Sequence, residues 1–231
     1  MNAPPALGPT RGQVHNPAHG DTRQRILDTA RPIIGGRGFS AVGLNEILGA
    51  AQVPKGSFYH YFASKEAFGE ALLERYFTQY LARLDVVLGT PGAPAADRLM
   101  SYWQGWREGY VSGDIFSQCL AVKLGAEVCD LSEGMRAILQ DGTGRIVDRL
   151  ARCIDDGRRD GSLVLAERKG ADPGTADPGA VLAMSLYQLW LGATLLAKFT
   201  RDRRPFDDAM TTTQRLLNLG AEPRANNAAV S

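Results

Sequence analysis

Apolar side chains recur at helical spacing along most of the chain. Ile26, Leu27, Ala30 and Ile34 fall on one face of a first predicted helix, which begins at Asp21. The same period predicts eight later helices, near residues 44–51, 55–61, 65–88, 95–111, 120–128, 133–159, 179–200 and 206–219. No segment shows the two-residue alternation of a half-buried strand, so the pattern predicts an all-α fold.

Helix-breaking and helix-capping residues separate these segments. Pro32 lies inside the first pattern and predicts a kink or a cut near the end of that helix. The glycines in residues 35–38 then stop it. Ser64 and Ser132 each precede a helical pattern, and serine at this place is expected to cap the helix N-terminus.

Charge is balanced over the whole chain but not along it. The sequence has 26 basic and 25 acidic residues, a net charge of +1, which excludes a histone-like coat for nucleic acid. Residues 1–65 hold 7 basic and 3 acidic side chains. This excess of positive charge suits an N-terminal part that faces an anion.

Cysteine usage points to the cytoplasm. Cys119, Cys129 and Cys153 are too few, and odd in number, for a disulfide framework, and their spacing matches no zinc site. Residues 1–20 lack an apolar stretch of secretory-signal length. We therefore predict a cytoplasmic protein without a metal or other cofactor.

One apolar run reaches the length of a membrane span. Residues 178–197 carry no charge, but glycines and polar side chains interrupt the run and Lys198 follows it. We expect a helix buried on two faces, by its own core and by a partner subunit, and no membrane contact.

Residues 43–62 read as a helix, a tight turn and a second short helix. In such a unit the second helix enters the DNA major groove and the first crosses the backbone. Donors and small polar groups would face the groove, and these are Lys55, Ser57, Tyr59 and His60. The opposite side would pack inward through Leu48, Val53, Phe58 and Phe62. Which of Ser57, Tyr59 and His60 touches a base edge stays open.

Several motifs of this sequence resemble the TetR family of bacterial transcriptional regulators. The resemblance lies in Gly38-Phe39, in the helix-turn-helix, and in Tyr59-His60-Tyr61-Phe62 followed by Ser64-Lys65-Glu66. It implies a homodimer on a pseudo-palindromic operator, released by a ligand or a chemical signal. It also implies a phosphate contact from Lys65 and DNA contacts from Tyr59 and His60. Pro32 and Gly43 depart from the usual family pattern, because most relatives lack that proline and have threonine or serine at the cap.

We expect the chain to have four parts. They are a flexible arm (1–20), a three-helix DNA-binding domain (21–66), a helical ligand-sensing and dimerisation domain (67–220), and a flexible tail (221–231). The helices near 133–159 and 179–200 are expected to form a four-helix bundle with their mates.

The sensor half resembles the NemR-like branch of the family, which responds to electrophiles or reactive chlorine. The similar segments are 117–133 and 189–198. The resemblance places the sensor at Cys119. Its chemistry fits, because a helix start and Lys123 four residues later would both favour a thiolate. The alternative is a buried, unreactive cysteine, which is common for this residue type.

Further residues of the sensor half allow two interpretations each. Lys198 could approach Cys119 and tune its reactivity, or it could be a lysine at a helix end with its charge in water. Trp103, Tyr187 and Trp190, with Lys123, could line a ligand pocket, although aromatic residues at such spacing usually form core.

Three functions follow from this sequence. The first is a repressor released from operator DNA when an electrophile or oxidant modifies Cys119. The second is the same repressor released by non-covalent binding of a small apolar inducer. The third, a thiol-dependent redox enzyme, is disfavoured because the sequence has no Cys-x-x-Cys and no glycine-rich nucleotide loop. We therefore predict that the protein is not an enzyme.

Overall fold

The computed structural model describes residues 17–112, 120–165 and 177–219. Within these ranges the chain forms nine α-helices and no strand, in agreement with the predicted all-α fold. The helices are α1 (Pro17–Arg37), α2 (Leu44–Ala51), α3 (Lys55–Tyr61), α4 (Lys65–Leu88), α5 (Ala95–Ser112), α6 (Leu120–Leu131), α7 (Glu133–Asp160), α8 (Pro178–Thr200) and α9 (Arg204–Leu216).

Helix α1 differs from the prediction at its N-terminus. It begins at Pro17, inside the segment that we predicted as an arm. It is not cut at Pro32 but continues to Arg37. Because Ala30 and Ile34 on either side of the proline are fully buried, packing holds the helix together despite the missing backbone donor. Gly38 ends the helix with a φ of +95°, a conformation that favours glycine.

The head of the molecule, α1 to α3, encloses a small aromatic core. Phe58 and Phe62 lie 5.7 and 5.1 Å, between ring centroids, from Phe68 at the start of α4. The turn between α2 and α3 is tight, and Gln52 adopts a left-handed conformation there with a φ of 54°. Val53 N–H bonds back to the Leu48 carbonyl at 2.9 Å, which fixes the angle between the two helices.

Helix α4 connects the head to the larger helical domain. Its predicted cap is confirmed, since Ser64 Oγ accepts a hydrogen bond from Ala67 N at 3.1 Å. Arg75 on α4 holds Asp28 on α1 through two parallel bonds of 2.8 Å. Ion pairs of this fork geometry orient the two helices as well as attract them.

Helix α7 is the centre of the larger domain and packs against α4, α5, α6 and α8. The predicted cap at Ser132 is confirmed by its bond from Met135 N. Gly142, near the middle of α7, lies directly against the Phe77 ring of α4. The absence of a side chain at this position lets the two helices approach closely.

Helix α8 is, by length and composition alone, apolar enough to cross a membrane. In this structure it packs against α7 and α9. Trp190 Nε1 on its inner face donates to Thr213 Oγ1 of α9 at 2.9 Å, and both side chains are buried. Its outer face leaves several large apolar side chains exposed, namely Val181, Met184, Leu195, Leu196 and Phe199.

Candidate functional site

Helix α3 presents one buried face and one open face. Phe58 is fully buried, and it anchors the helix in the aromatic core of the head. Lys55, Tyr59 and His60 are exposed, Tyr59 to 59% of its possible surface, and Ser57 is half-buried. All four side chains lie outside the aromatic core that Phe58 enters, and their contacts with DNA stay a prediction.

Lys65 is the first residue of α4 and follows the end of α3 by four residues. Its Nζ donates a hydrogen bond to the Val42 carbonyl at 2.9 Å and lies 4.9 Å from the centroid of the Phe39 ring. The side chain is half-buried. Lys65 therefore braces the turn between α1 and α2 in the DNA-free protein, and its phosphate contact stays a prediction.

Cys119, the predicted sensor, lies outside the described residues, directly before the first residue of α6. Lys123, one turn into α6, is half-buried. Its Nζ lies 3.9 Å from the point where a Cβ on Gly35 of α1 would stand. Lys123 is thus near α1, the first helix of the head.

Lys198 is exposed. It projects from the outer face of α8 between Ala197, which is buried, and Phe199, which is 69% exposed. This exposure fits the interpretation of Lys198 as a lysine near a helix end with its charge in water. A contact between Lys198 and Cys119 stays a prediction.

The aromatic residues suggested as pocket walls stack on one another. Trp190 stacks on Trp103 at 5.1 Å and on Trp106 at 5.8 Å between ring centroids, and Tyr187 stacks on Trp106 at 6.1 Å. Trp103, Trp106 and Trp190 are fully buried. Among the described residues the indole nitrogens of Trp103 and Trp106 have no hydrogen-bond partner, although a buried indole N–H usually finds one.

The two described cysteines differ in their surroundings. Cys153 is buried on α7, with its Sγ 3.7 Å from the Ala95 carbonyl. Burial raises the pKa of this thiol to about 11, although the nearby charge of Arg98 opposes that change. A thiol of this kind is a poor nucleophile at neutral pH. Cys129 on α6 is half-buried.

Sequence analysis gave no role to Glu127, which the structure places at the junction of α6 and the head. One carboxylate oxygen accepts a bond from Phe39 N at 3.0 Å, and the other accepts one from Ser40 N at 2.6 Å. The partners are 88 and 87 residues away in sequence. No local pattern on an amphipathic helix reports such a distant contact.

Comparison with known proteins agrees with this architecture. Residues 26–72 match the model for bacterial regulatory proteins of the tetR family, and residues 95–213 match the model named Tetracyclin repressor-like, C-terminal domain. The HTH-type transcriptional repressor NemR of Escherichia coli (strain K12) is 39% identical over 85% of this chain and 94% of NemR. The transcriptional regulator AcuR of Cereibacter sphaeroides is 39% identical over 70% of this chain and 69% of AcuR.

The solved structures give the same result. The crystal structure of E. coli NemR in its reduced form is 39% identical, with a TM-score of 0.76 over 85% of this chain and 96% of that one. Both domains of this protein are thus matched by one repressor along nearly its whole length. From its sequence and its fold, the chain belongs to the TetR family of transcriptional regulators, which bind DNA and are not enzymes.

Proposed function

We propose that this protein is a cytoplasmic homodimeric repressor that binds a pseudo-palindromic operator. It dissociates from the operator when an electrophile or reactive chlorine modifies Cys119. The observation that carries the proposal is the similarity to the repressor NemR through both domains, at 39% identity. The sequence resemblance to the electrophile-responsive branch supports an electrophile or reactive chlorine as the signal that releases the DNA.

The open face of α3 supports the DNA-binding part of the proposal. Lys55 supplies a charge for phosphate, and Tyr59 and His60 supply donors and an aromatic surface at a groove. In a two-fold symmetric dimer the two α3 helices would lie one DNA turn apart, roughly 34–36 Å.

The outer face of α8 supports the homodimer. It exposes Leu196 to 53% and Phe199 to 69%, and monomeric proteins rarely leave such side chains together in water. The neighbouring exposed face of α7 alternates in charge through Asp141, Arg145 and Asp148. A two-fold axis through such a surface can set opposite charges against each other. Helices α7 and α8 with their mates would thus form a four-helix bundle.

The first experiment measures release of DNA from the modified protein. Fluorescence anisotropy would follow reduced protein on DNA from upstream of its own gene, before and after addition of a maleimide or hypochlorite. We expect the wild type to release the DNA and Cys119→Ser to hold it. Cys129→Ser and Cys153→Ser are the matched controls, and both should still release the DNA.

The outcome separates the proposed mechanisms. If Cys119→Ser releases DNA as readily as the wild type does, the thiol at position 119 is not the sensor. If no variant binds the DNA, a genome-wide selection of bound sequences must supply the operator before the sensor can be tested.

A second mechanism, release by a small apolar inducer, is favoured by one observation. The buried indole N–H groups of Trp103 and Trp106 have no partner in the part of the chain that the structure describes, so a ligand with an acceptor oxygen could satisfy them. This mechanism predicts that the inducer releases DNA from Cys119→Ser reversibly. Removal of the inducer by dialysis should restore DNA binding. Release that occurs only with reactive compounds, and only with the thiol present, would contradict it.

A further inference from the structure

The turn between α1 and α2, residues 38–43, is held by a carboxylate from α6. Glu127 accepts the backbone N–H groups of Phe39 and Ser40, one on each oxygen, at 3.0 and 2.6 Å. Two successive amides that converge on one anion form a strong, directional contact. The left-handed Gly38 allows it, since a Cβ at that position would lie 3.0 Å from Glu127 Oε2 and in a strained backbone conformation.

The same turn is also held by Lys65. Its ammonium group bonds to the Val42 carbonyl and covers the Phe39 ring. Phe39 thus lies between Glu127, which holds its amide, and Lys65, which contacts its ring. Burial raises the pKa of Glu127, but the bonds from Ser40 and Phe39 and the charge of Lys65 outweigh burial and lower that pKa overall. The carboxylate is therefore ionised at neutral pH.

The other end of α6 meets the segment that contains the predicted sensor. Leu120, the first residue of α6, follows Cys119 directly and is buried. Its side chain lies 3.6 Å from the point where a Cβ on Gly35 would stand. One helix of twelve residues therefore begins at the sensor segment, touches α1 and carries Glu127 to the α1–α2 turn.

We propose that Glu127 is the positioning residue that couples the sensor domain to the DNA-binding head. Its bonds to Phe39 and Ser40 hold the head, and with it Lys65, in the orientation that binds the operator. A movement of α6 that withdraws the carboxylate frees the turn and lowers operator affinity. The link to Cys119 rests on the proposed function, whereas the hydrogen bonds of Glu127 to the head do not.

The test compares Glu127→Gln with the wild type and with Glu74→Gln. Glutamine keeps the shape but loses the charge, and its NH2 group would face one of the two backbone N–H donors. We expect roughly 10-fold weaker operator binding for reduced Glu127→Gln, and a smaller further loss after maleimide treatment than the wild type shows. Glu74→Gln removes the same charge from an exposed position on α4 and should bind as the wild type does.

A second readout needs neither DNA nor an inducer. Hydrogen exchange of the Phe39 and Ser40 amides should be at least roughly 10-fold faster in Glu127→Gln, because two protecting bonds are weakened. Exchange of the Val53 amide, whose partner is the Leu48 carbonyl, should not change and would show that the head is still folded.

The outcomes separate this inference from the proposed function. If wild type ignores maleimide but Glu127→Gln binds weakly with fast exchange at the turn, the redox proposal fails and the coupling residue stands. Wild-type operator affinity with unchanged exchange would overturn the role of Glu127. Fast exchange with wild-type affinity and release would also overturn it, because the contact would then be structural only.

Discussion

Cys153 illustrates how far the surroundings of one side chain decide its chemistry. The structure buries Cys153 and leaves Cys129 half-buried. Burial raises the pKa of Cys153 from 9.0 to about 11. The folded state therefore favours the neutral thiol, and this preference contributes to the free energy of unfolding. The contribution is fully present below pH 9, where the thiol is protonated in both the folded and the unfolded state, and it is lost as the pH rises through about 11.

We predict that Cys153 resists alkylation in the folded protein. At pH 7.5 a maleimide should label Cys129 much faster than Cys153, and the two should react alike in guanidinium chloride. Peptide mapping by mass spectrometry after timed quenching would measure both rates. Equal rates in the native protein would show that the region around Cys153 opens readily to solvent.

Lys55 carries a prediction about DNA. Each lysine–phosphate contact releases counterions, so the slope of log K against log salt reports the number of contacts. Lys55→Ala should weaken operator binding and reduce the magnitude of that slope by about 2, one contact for each subunit. Arg203→Ala, which removes an exposed cation at the start of α9, is the control. Anisotropy titrations between low and moderate salt give both slopes, and an unchanged slope for Lys55→Ala would remove Lys55 from the interface.

Among the helices, local signals and distant contacts contributed differently to the prediction. Helices α2 and α3 run over 44–51 and 55–61, as predicted, because proline, glycine and a tight turn fix their ends locally. The continuity of α1 through Pro32 could not be predicted, since it depends on burial against other helices. The exposure of Lys198 and the partners of Glu127 depend in the same way on how α6 and α8 pack.

The contact between α4 and α7 gives a prediction for stability. A methyl group on Gly142 would overlap the Phe77 ring, whereas one on Gly125 in α6 would meet no atom within 4 Å. Gly142→Ala should therefore destabilise the protein by about 1–3 kcal/mol through overpacking. Gly125→Ala should be neutral or stabilise by up to about 1 kcal/mol through helix propensity.

Chemical denaturation monitored by circular dichroism would compare the two variants. The comparison is informative because the same atoms are added to a helical glycine in both. Equal stabilities would mean that α4 and α7 separate easily enough to accept the methyl group, and the close packing seen here would then contribute little.

For the molecule as a whole, the homodimer is the assembly most open to test. Leu196→Glu places a charge on the outer face of α8, where a partner subunit would desolvate it. We expect a shift from dimer to monomer in sedimentation velocity and weaker operator binding. Gln188→Glu adds the same charge at another exposed position of α8, nearer its centre. A smaller effect there would locate the strongest contact near Leu196, whereas a Leu196→Glu variant that stays dimeric would place the interface elsewhere.

The apolar outer face of α8 also makes the number of repressor molecules in a cell a physical variable. If that face is covered by pairing, folding and assembly are linked, and the apparent stability of each subunit rises with its own concentration. When copies become scarce, occupied operators would decline with the square of the total amount rather than in proportion to it. A modest fall in synthesis would then switch the regulated genes on sharply, without any inducer at all.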